Sequence, residues 1–359
     1  MSRIKVRKGM PSVALTKARF TALARERFYD PAFDPLQTEI GRIIDAAWEG
    51  YHGYRKAPRT RKAGKGFADP DYDLSVEWLR ARDAIARAQR RQKSAGARSR
   101  ILLINGSMRS DQSCPGEMSK TWRLIEVVRK VIERERGFEV EVLDLSLLTS
   151  QYGRQILPCK ACVSTAQPLC HWPCSCYPNH AIGQVNDWMN DIYPMWAAAH
   201  GVMIVTPVNW YQAPSGLKAM IDRLVCANGG NADPTTTAGK DADKAKAIEM
   251  KGWNFQNHLA GRAFSVVVHG DAAGTETLRR MLVDWFRDMG LVPAGHAAEL
   301  DRYVGYYEPY ALNHEALDHD RAFQEETRNA ARALVKAVKL MRQGKLSQPD
   351  AGLREPRPK

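Results

Sequence analysis

The chain has 359 residues, 44% of them hydrophobic and 26% charged, with a formal net charge of +13. These values exclude a collagen-like, a wholly disordered or a disulfide-stapled chain, and no stretch approaches the ~20 apolar residues of a membrane helix. The charge is uneven: residues 1–100 hold 23 Lys and Arg against 11 Asp and Glu, so almost all of the excess lies there.

Residues 1–98 read as a basic helical N-terminal extension. Helical patterns run over 15–28, 38–48 and 74–92, with a basic loop from Arg55 to Gly66 between the last two and a linker over 93–100. A charge run without interleaved aromatics fits a solvated face or a subunit arm, so nucleic acid is not expected as a partner. The start of the chain lacks an apolar signal core. Seven cysteines without one fit thiols or metal ligands in a reducing cytoplasm.

Beyond residue 99 the texture changes. Residues 100–105, RILLIN, form a continuous apolar run ending at Gly106, as expected of a strand buried on both faces of a parallel sheet. Helices are expected over 120–135, 185–199, 216–225 and 275–289. Strands are expected over 138–143, 202–205 and 264–268, with a fifth inside 291–299. A long closing helix with an interruption is expected over 317–341. This alternation predicts a doubly wound, five-stranded parallel α/β sheet over 99–343. Residues 227–262 read as a polar insertion and 344–359 as a disordered tail.

Sheets of this class bind ligands at the carboxyl ends of their strands, beside the point where strand order reverses. The loop leaving the first strand there carries the hydroxyls of Ser107, Ser119 and Thr121 and the cations Arg109 and Lys120, just before a helix start. That chemistry suits a phosphomonoester; a polar turn with an ordinary Ser or Thr cap explains the same residues. Neither GxxxxGK nor GxGxxG is present. The loop after the third strand, TPVNWYQAPSGLK, offers Pro207, Val208, Asn209, Trp210 and Tyr211. It suits a planar heteroaromatic ring, or its aromatics pack beneath the insertion.

Taken in order, these pieces resemble the NAD(P)H-dependent FMN reductase family of the flavodoxin-like superfamily. GSMR followed by SKTWRL resembles its phosphate loop, LPCKAC its Cys-x-x-Cys, TPVNWYQAPSGLKAMIDR its flavin-ring loop, and HGDAAGTETLRRML its third flavin-contacting loop. The likeness covers about Arg100 to Met341. It departs in a longer phosphate loop holding Cys114 and Pro115, and in Asn209 where Tyr is common. The resemblance implies FMN as cofactor and NADPH or NADH as transient hydride donor. It places Ser107, Arg109, Ser119, Lys120 and Thr121 around the phosphate and Pro207 through Tyr211 along the isoalloxazine. His269, Gly270 and Asp271 form the far wall.

The expected activity is ping-pong transfer of hydride to FMN and onward to a small-molecule acceptor: a quinone, nitroaromatic, azo compound or free flavin. No catalytic side chain is assigned. A homo-oligomer, dimer or tetramer, is expected, with residues 301–310 at an interface and no membrane association.

Cys159-x2-Cys162-x7-Cys170-x3-Cys174-x-Cys176 gathers five thiols within eighteen residues. The region also resembles iron–sulfur flavoproteins, although their four-cysteine run is tighter. Metal-free thiols are expected. If a [4Fe-4S] cluster is present, Cys159, Cys162, Cys170 and Cys174 would ligate it, making an electron carrier. Zinc and a redox-active disulfide are further readings, as is a flavin-binding regulatory protein that uses its basic arm.

Overall fold

A computed structural model describes residues 13–53, 59–110, 119–177, 186–309 and 312–346. The N-terminal part holds α1 (Lys17–Arg25), α2 (Gln37–His52), β1 (Thr60–Lys62), β2 (Asp73–Ser75) and α3 (Val76–Lys93). Then follow β3 (Ser99–Asn105), α4 (Lys120–Glu133), β4 (Phe138–Asp144), α5 (Leu147–Ser150), α6 (Met189–Ala198) and β5 (Gly201–Pro207). The chain continues through α7 (Ser215–Arg223), α8 (Ala242–Met250), β6 (Ala263–Gly270) and α9 (Thr275–Asp288). It closes with β7 (Val292–Pro293), β8 (Glu299–Tyr303), α10 (Asn313–His319) and α11 (Arg321–Arg342).

The main sheet has the order β4-β3-β5-β6-β7, with β8 also paired to β6, and every pairing is parallel. Strand order reverses at β3, which lies between β4 and β5. Side chains alternate along β3 as a doubly covered strand requires. Ile101 and Leu103 pack with Leu124, Val128 and Leu334 of α4 and α11. Leu102 and Ile104 face Ile192, Trp196, Leu217 and Leu282 of α6, α7 and α9. This is a three-layer α/β sandwich.

The sheet has six strands, not the expected five. The fifth is split: β7 pairs with the start of β6, and β8 with its second half. Pro293 lacks the amide a ladder needs, and Gly295 takes φ 110°, so the chain leaves the sheet and rejoins it six residues later.

Three local expectations also shift. Thr60–Lys62, expected as part of a basic loop, pairs antiparallel with Asp73–Ser75, where Lys62 and Asp73 stand 3.2 Å apart. The third helix consequently begins at Val76, with Ser75 as its N-cap. The linker over 93–100 is pinned by the Arg342 guanidinium, which donates to the carbonyls of Ser94, Ala95 and Ala97 and to Ser99 Oγ. Helix α3 lies against the sheet unit: Ile85 joins its core and Trp78 Nε1 donates to Pro173 O at 2.8 Å. The closing helix is interrupted at Asp320, whose carboxylate caps α11 by accepting from Phe323 N. Residues 1–12, the loop segment 54–58, Cys114, Pro115, Val185, Tyr310 and the tail beyond 346 lie outside the described residues. Among those described, no helix is long and apolar enough to cross a membrane.

Candidate active site

The site is built at the carboxyl edge of β3, β5 and β6. Asn105, the last residue of β3, donates from Nδ2 to Asp144 Oδ1 at 2.7 Å, and that oxygen also accepts from Ser146 N. Asn105 Oδ1 in turn accepts from Ser107 N at 3.1 Å, and Ser107 Oγ accepts from Arg109 N. This relay of side chain to backbone bonds shapes the loop out of the strand. Gly106 is required by close approach: a Cβ there would sit 2.5 Å from Thr206 Oγ1.

Ser119 is the N-cap of α4, its Oγ accepting from Trp122 N. The cap expected as an alternative to an anion site is therefore present, but its hydroxyl hydrogen is still able to donate. The first amides of α4 add their partial positive charge. Burial lowers the pKa of Lys120, Asp271 opposes that effect, and the Arg109 cation adds to it. Both cations line the same cavity at this helix start.

On the opposite side, Val208 N donates to His269 O at 2.8 Å. A Cβ on Gly270 would come within 2.6 Å of Val208 Cγ1, so the loops after β5 and β6 touch. His269 is buried, and its Nε2 lies 2.9 Å from Thr121 Oγ1. Its Nδ1 has no partner among the described residues. Burial, with the Lys120 cation, pulls the imidazole pKa down to about 3, so the ring is neutral.

These elements enclose a cavity of about 390 Å³ lined by Ser107, Met108, Arg109, Ser119, Lys120, Thr121, Pro207, Val208, Asn209, His269, Gly270 and Asp271. Trp210 and Tyr211 do not line it. They are the two central residues of a tight turn in which Asn209 and Gln212 exchange backbone hydrogen bonds. Both have left-handed backbones, at φ 49° and 67°, and Trp210 is 89% exposed. The rings are exposed and are not part of the wall. Met108, Asn105 and Asp144 were not anticipated. Asn105, a polar residue ending an apolar strand, was the available signal. Larger cavities lie elsewhere: one of about 770 Å³ beside the start of β3, another of about 770 Å³ against the cysteine segment, and one of about 430 Å³ beside Cys159.

A family model described as NADPH-dependent FMN reductase matches residues 99–303. The chain belongs to this family. An iron–sulfur flavoprotein of Methanosarcina thermophila is 30% identical over 127 residues, 35% of this chain and 52% of that protein. The chain thus spans about half the length of that curated relative. Among solved structures, RosB with a bound 8-demethyl-8-formylriboflavin-5′-phosphate intermediate is 13% identical at a TM-score of 0.47, covering 69% of this chain and 82% of that one. An FMN-dependent NADH-azoreductase from Bacillus anthracis, in complex with FMN, is 16% identical at a TM-score of 0.37, covering 67% and 98%.

FMN is the family's cofactor, and the cavity fits its phosphate end: two cations, three hydroxyls and a helix start line it. The cysteines do not fit an iron–sulfur cluster in the same way. Cys159 lines one cavity with Val163, Ile221 and Trp285, while Cys162 and Cys176 line another. Cys170 and Cys174 are buried in the core. Hydrogen bonding with Cys170 pushes Cys162 up to about 11, and Cys176 and burial raise Cys174. Among the described residues no group of three or more Cys, His, Asp or Glu is placed to hold a metal ion.

Proposed function

We propose that the chain is an FMN-dependent NAD(P)H oxidoreductase that reduces a small acceptor such as a quinone, nitroaromatic, azo compound or free flavin. The observation carrying this reading is the convergence of Arg109, Lys120, Ser119 and Thr121 with Pro207, Val208, Asn209 and Gly270 in one cavity at the strand ends. FMN, when bound, supplies hydride acceptance from the nicotinamide and electron release to the acceptor.

The chain's own residues bind and orient. Ser107, Arg109, Ser119, Lys120 and Thr121 hold the phosphate dianion, the cations by charge and the hydroxyls by charge-assisted hydrogen bonds. Pro207, Val208 and Asn209 offer a stiff surface to the ring, and His269, Gly270 and Asp271 close the far side. The neutral His269 takes no part in proton transfer near pH 7. Trp210 and Tyr211, exposed on the loop that continues from the cavity-lining Asn209, are assigned to meet the planar substrate. Nicotinamide and acceptor then use one opening in turn, which requires ping-pong kinetics. A homo-oligomer is part of the same reading, with the stretch that carries the exposed Tyr303 and Tyr307 at its interface.

Anaerobic titration of the purified full chain with NADPH and with NADH tests the reading. Bleaching of flavin bands, followed by their return on adding a quinone, is expected, with parallel double-reciprocal plots. Protein that stays colourless after soaking in riboflavin 5′-phosphate overturns it. Sizing chromatography reads the oligomer.

A further inference from the structure

Outside the flavin cavity, the structure brings together sulfurs that no part of the proposed reaction uses: Cys162 has both Cys170 and Cys176 for neighbours, and of these Cys176 shares a cavity with it. Cys162 Sγ lies 3.7 Å from Cys176 Sγ. Both line a cavity of about 770 Å³, walled on one side by Tyr72, Leu74 and Ser75 of the N-terminal part and on the other by Pro234, Gly239 and Lys240 of the insertion. Lys240 Nζ stands 3.6 Å from Cys162 Sγ and is anchored by a 2.6 Å bond to Leu169 O. Cys162 is half-buried and Cys176 is 8% exposed.

We propose that Cys162 and Cys176 are a thiol–disulfide exchange site for a low-molecular-weight disulfide admitted by this cavity. The sulfurs must approach by about 1.7 Å to reach the ~2.0 Å of an S–S bond. A concave entrance of this size suits a small molecule in the 300–1,000 Å³ range of ligand pockets, not another protein's flat disulfide. Cys162, the more open of the two and the one beside the ammonium, is the attacking sulfur.

The exchange balances without a further oxidant. The Cys162 thiolate attacks one sulfur of R–S–S–R, forming a mixed disulfide and expelling one thiolate, which takes up the proton Cys162 released. The Cys176 thiolate then attacks the Cys162 sulfur, breaking the mixed disulfide and releasing the second R–SH with the proton of Cys176. The pair is oxidised by two electrons, and the small disulfide is reduced to two thiols. Lys240 stabilises the thiolate that forms beside it.

The test uses the full chain as isolated, reduced, desalted and then exposed to oxidised glutathione. Remaining thiols are trapped with N-ethylmaleimide and every cysteine is mapped by tandem mass spectrometry. The expected product is a Cys162–Cys176 link, retained in Cys170→Ser. Cys176→Ser should instead stop with one glutathionyl group on Cys162, and Cys162→Ser should leave Cys176 alkylated. Alkylation of both cysteines in the unaltered protein overturns the proposal, as does a link that moves to Cys170 or Cys174 or is lost in Cys170→Ser. Iron that co-purifies and keeps these thiols from reacting overturns it too.

Discussion

Thr121→Val removes one hydroxyl at constant shape, and the surroundings of His269 determine what that does. His269 is neutral and has Thr121 Oγ1 as its sole hydrogen-bonded neighbour among the described residues, at 2.9 Å from Nε2. If Nδ1 carried the proton, a buried donor would be orphaned. With the proton on Nε2, only an acceptor is, and that is the more tolerable deficit. His269 therefore donates to Thr121, and the hydroxyl hydrogen of Thr121 is left to point at the cavity. The valine strands the buried Nε2–H, which costs about 1–3 kcal/mol of apoprotein stability. It also removes a hydrogen bond to a charged phosphate, worth about 1.5–3 kcal/mol, or roughly 10–150-fold in the FMN dissociation constant. Fluorescence titration of apoprotein with FMN and, in parallel, with riboflavin measures the second effect. FMN should weaken by that factor while riboflavin, which has no phosphate, changes less than twofold. Equal weakening of both ligands, or of neither, refutes the tautomer assignment and the phosphate role together.

Burial lowers the pKa of four histidines: His269 to about 3, His200 to about 4, and His171 and His258 in the same direction. In the unfolded chain each binds its proton near pH 6.5 while the folded protein stays neutral, so stability is intact above 6.5 and lost as pH falls towards 4, at up to about 1.4 kcal/mol per unit for each; urea midpoints at pH 7.5, 6 and 5 should fall in that order, and a flat profile contradicts the buried neutral state. Asp187→Ala leaves the buried Arg223 guanidinium without the carboxylate 2.5 Å away, and should cost about 3–5 kcal/mol in urea unfolding; a loss under 1 kcal/mol contradicts the pairing. Gly270→Ala drives a methyl to within 2.6 Å of Val208 Cγ1, so FMN and riboflavin should both weaken at least tenfold, unlike the phosphate-selective effect of Thr121→Val. Unchanged titrations of Gly270→Ala would mean that the two loops need not touch.

The buried strands were legible because both faces of β3 are covered, so RILLIN carries no polar residue until its end. Strand β8 was not: Glu299 and Asp301 look like loop residues, yet they lie beside Arg279 of α9, whose guanidinium pairs with both carboxylates. The hairpin of β1 and β2 escaped notice for a similar reason, since Thr60–Lys62 is exposed throughout and has no apolar face to alternate. Arg223 was visible as part of a motif, but its partner Asp187 lies 36 residues earlier and is brought to it only by packing. The outward stance of Trp210 and Tyr211 had no signal in composition, because bulky side chains seldom take left-handed backbones.

That unusual turn has a cause within the site. Gly274, at φ 105°, brings the third loop against the backbone of Tyr211, where a Cβ would lie 2.8 Å from Tyr211 Cα. Val208 is at the same time tied to His269 O, and Gly270 fits against its side chain. The ring loop is thus clamped at two points by the loop after β6, and its four-residue tip has room for only a two-residue turn. Left-handed geometry at both central positions gives the twist that closes such a turn, and the strain of roughly 1–2 kcal/mol per residue is borne because the flanking contacts over-determine the path. His269 then links this clamped pair to Thr121 at the start of α4. The phosphate end and the ring end of the cavity are therefore parts of one hydrogen-bonded unit, and a change at Thr121 or Gly270 can be told from the other only by whether the ligand carries a phosphate.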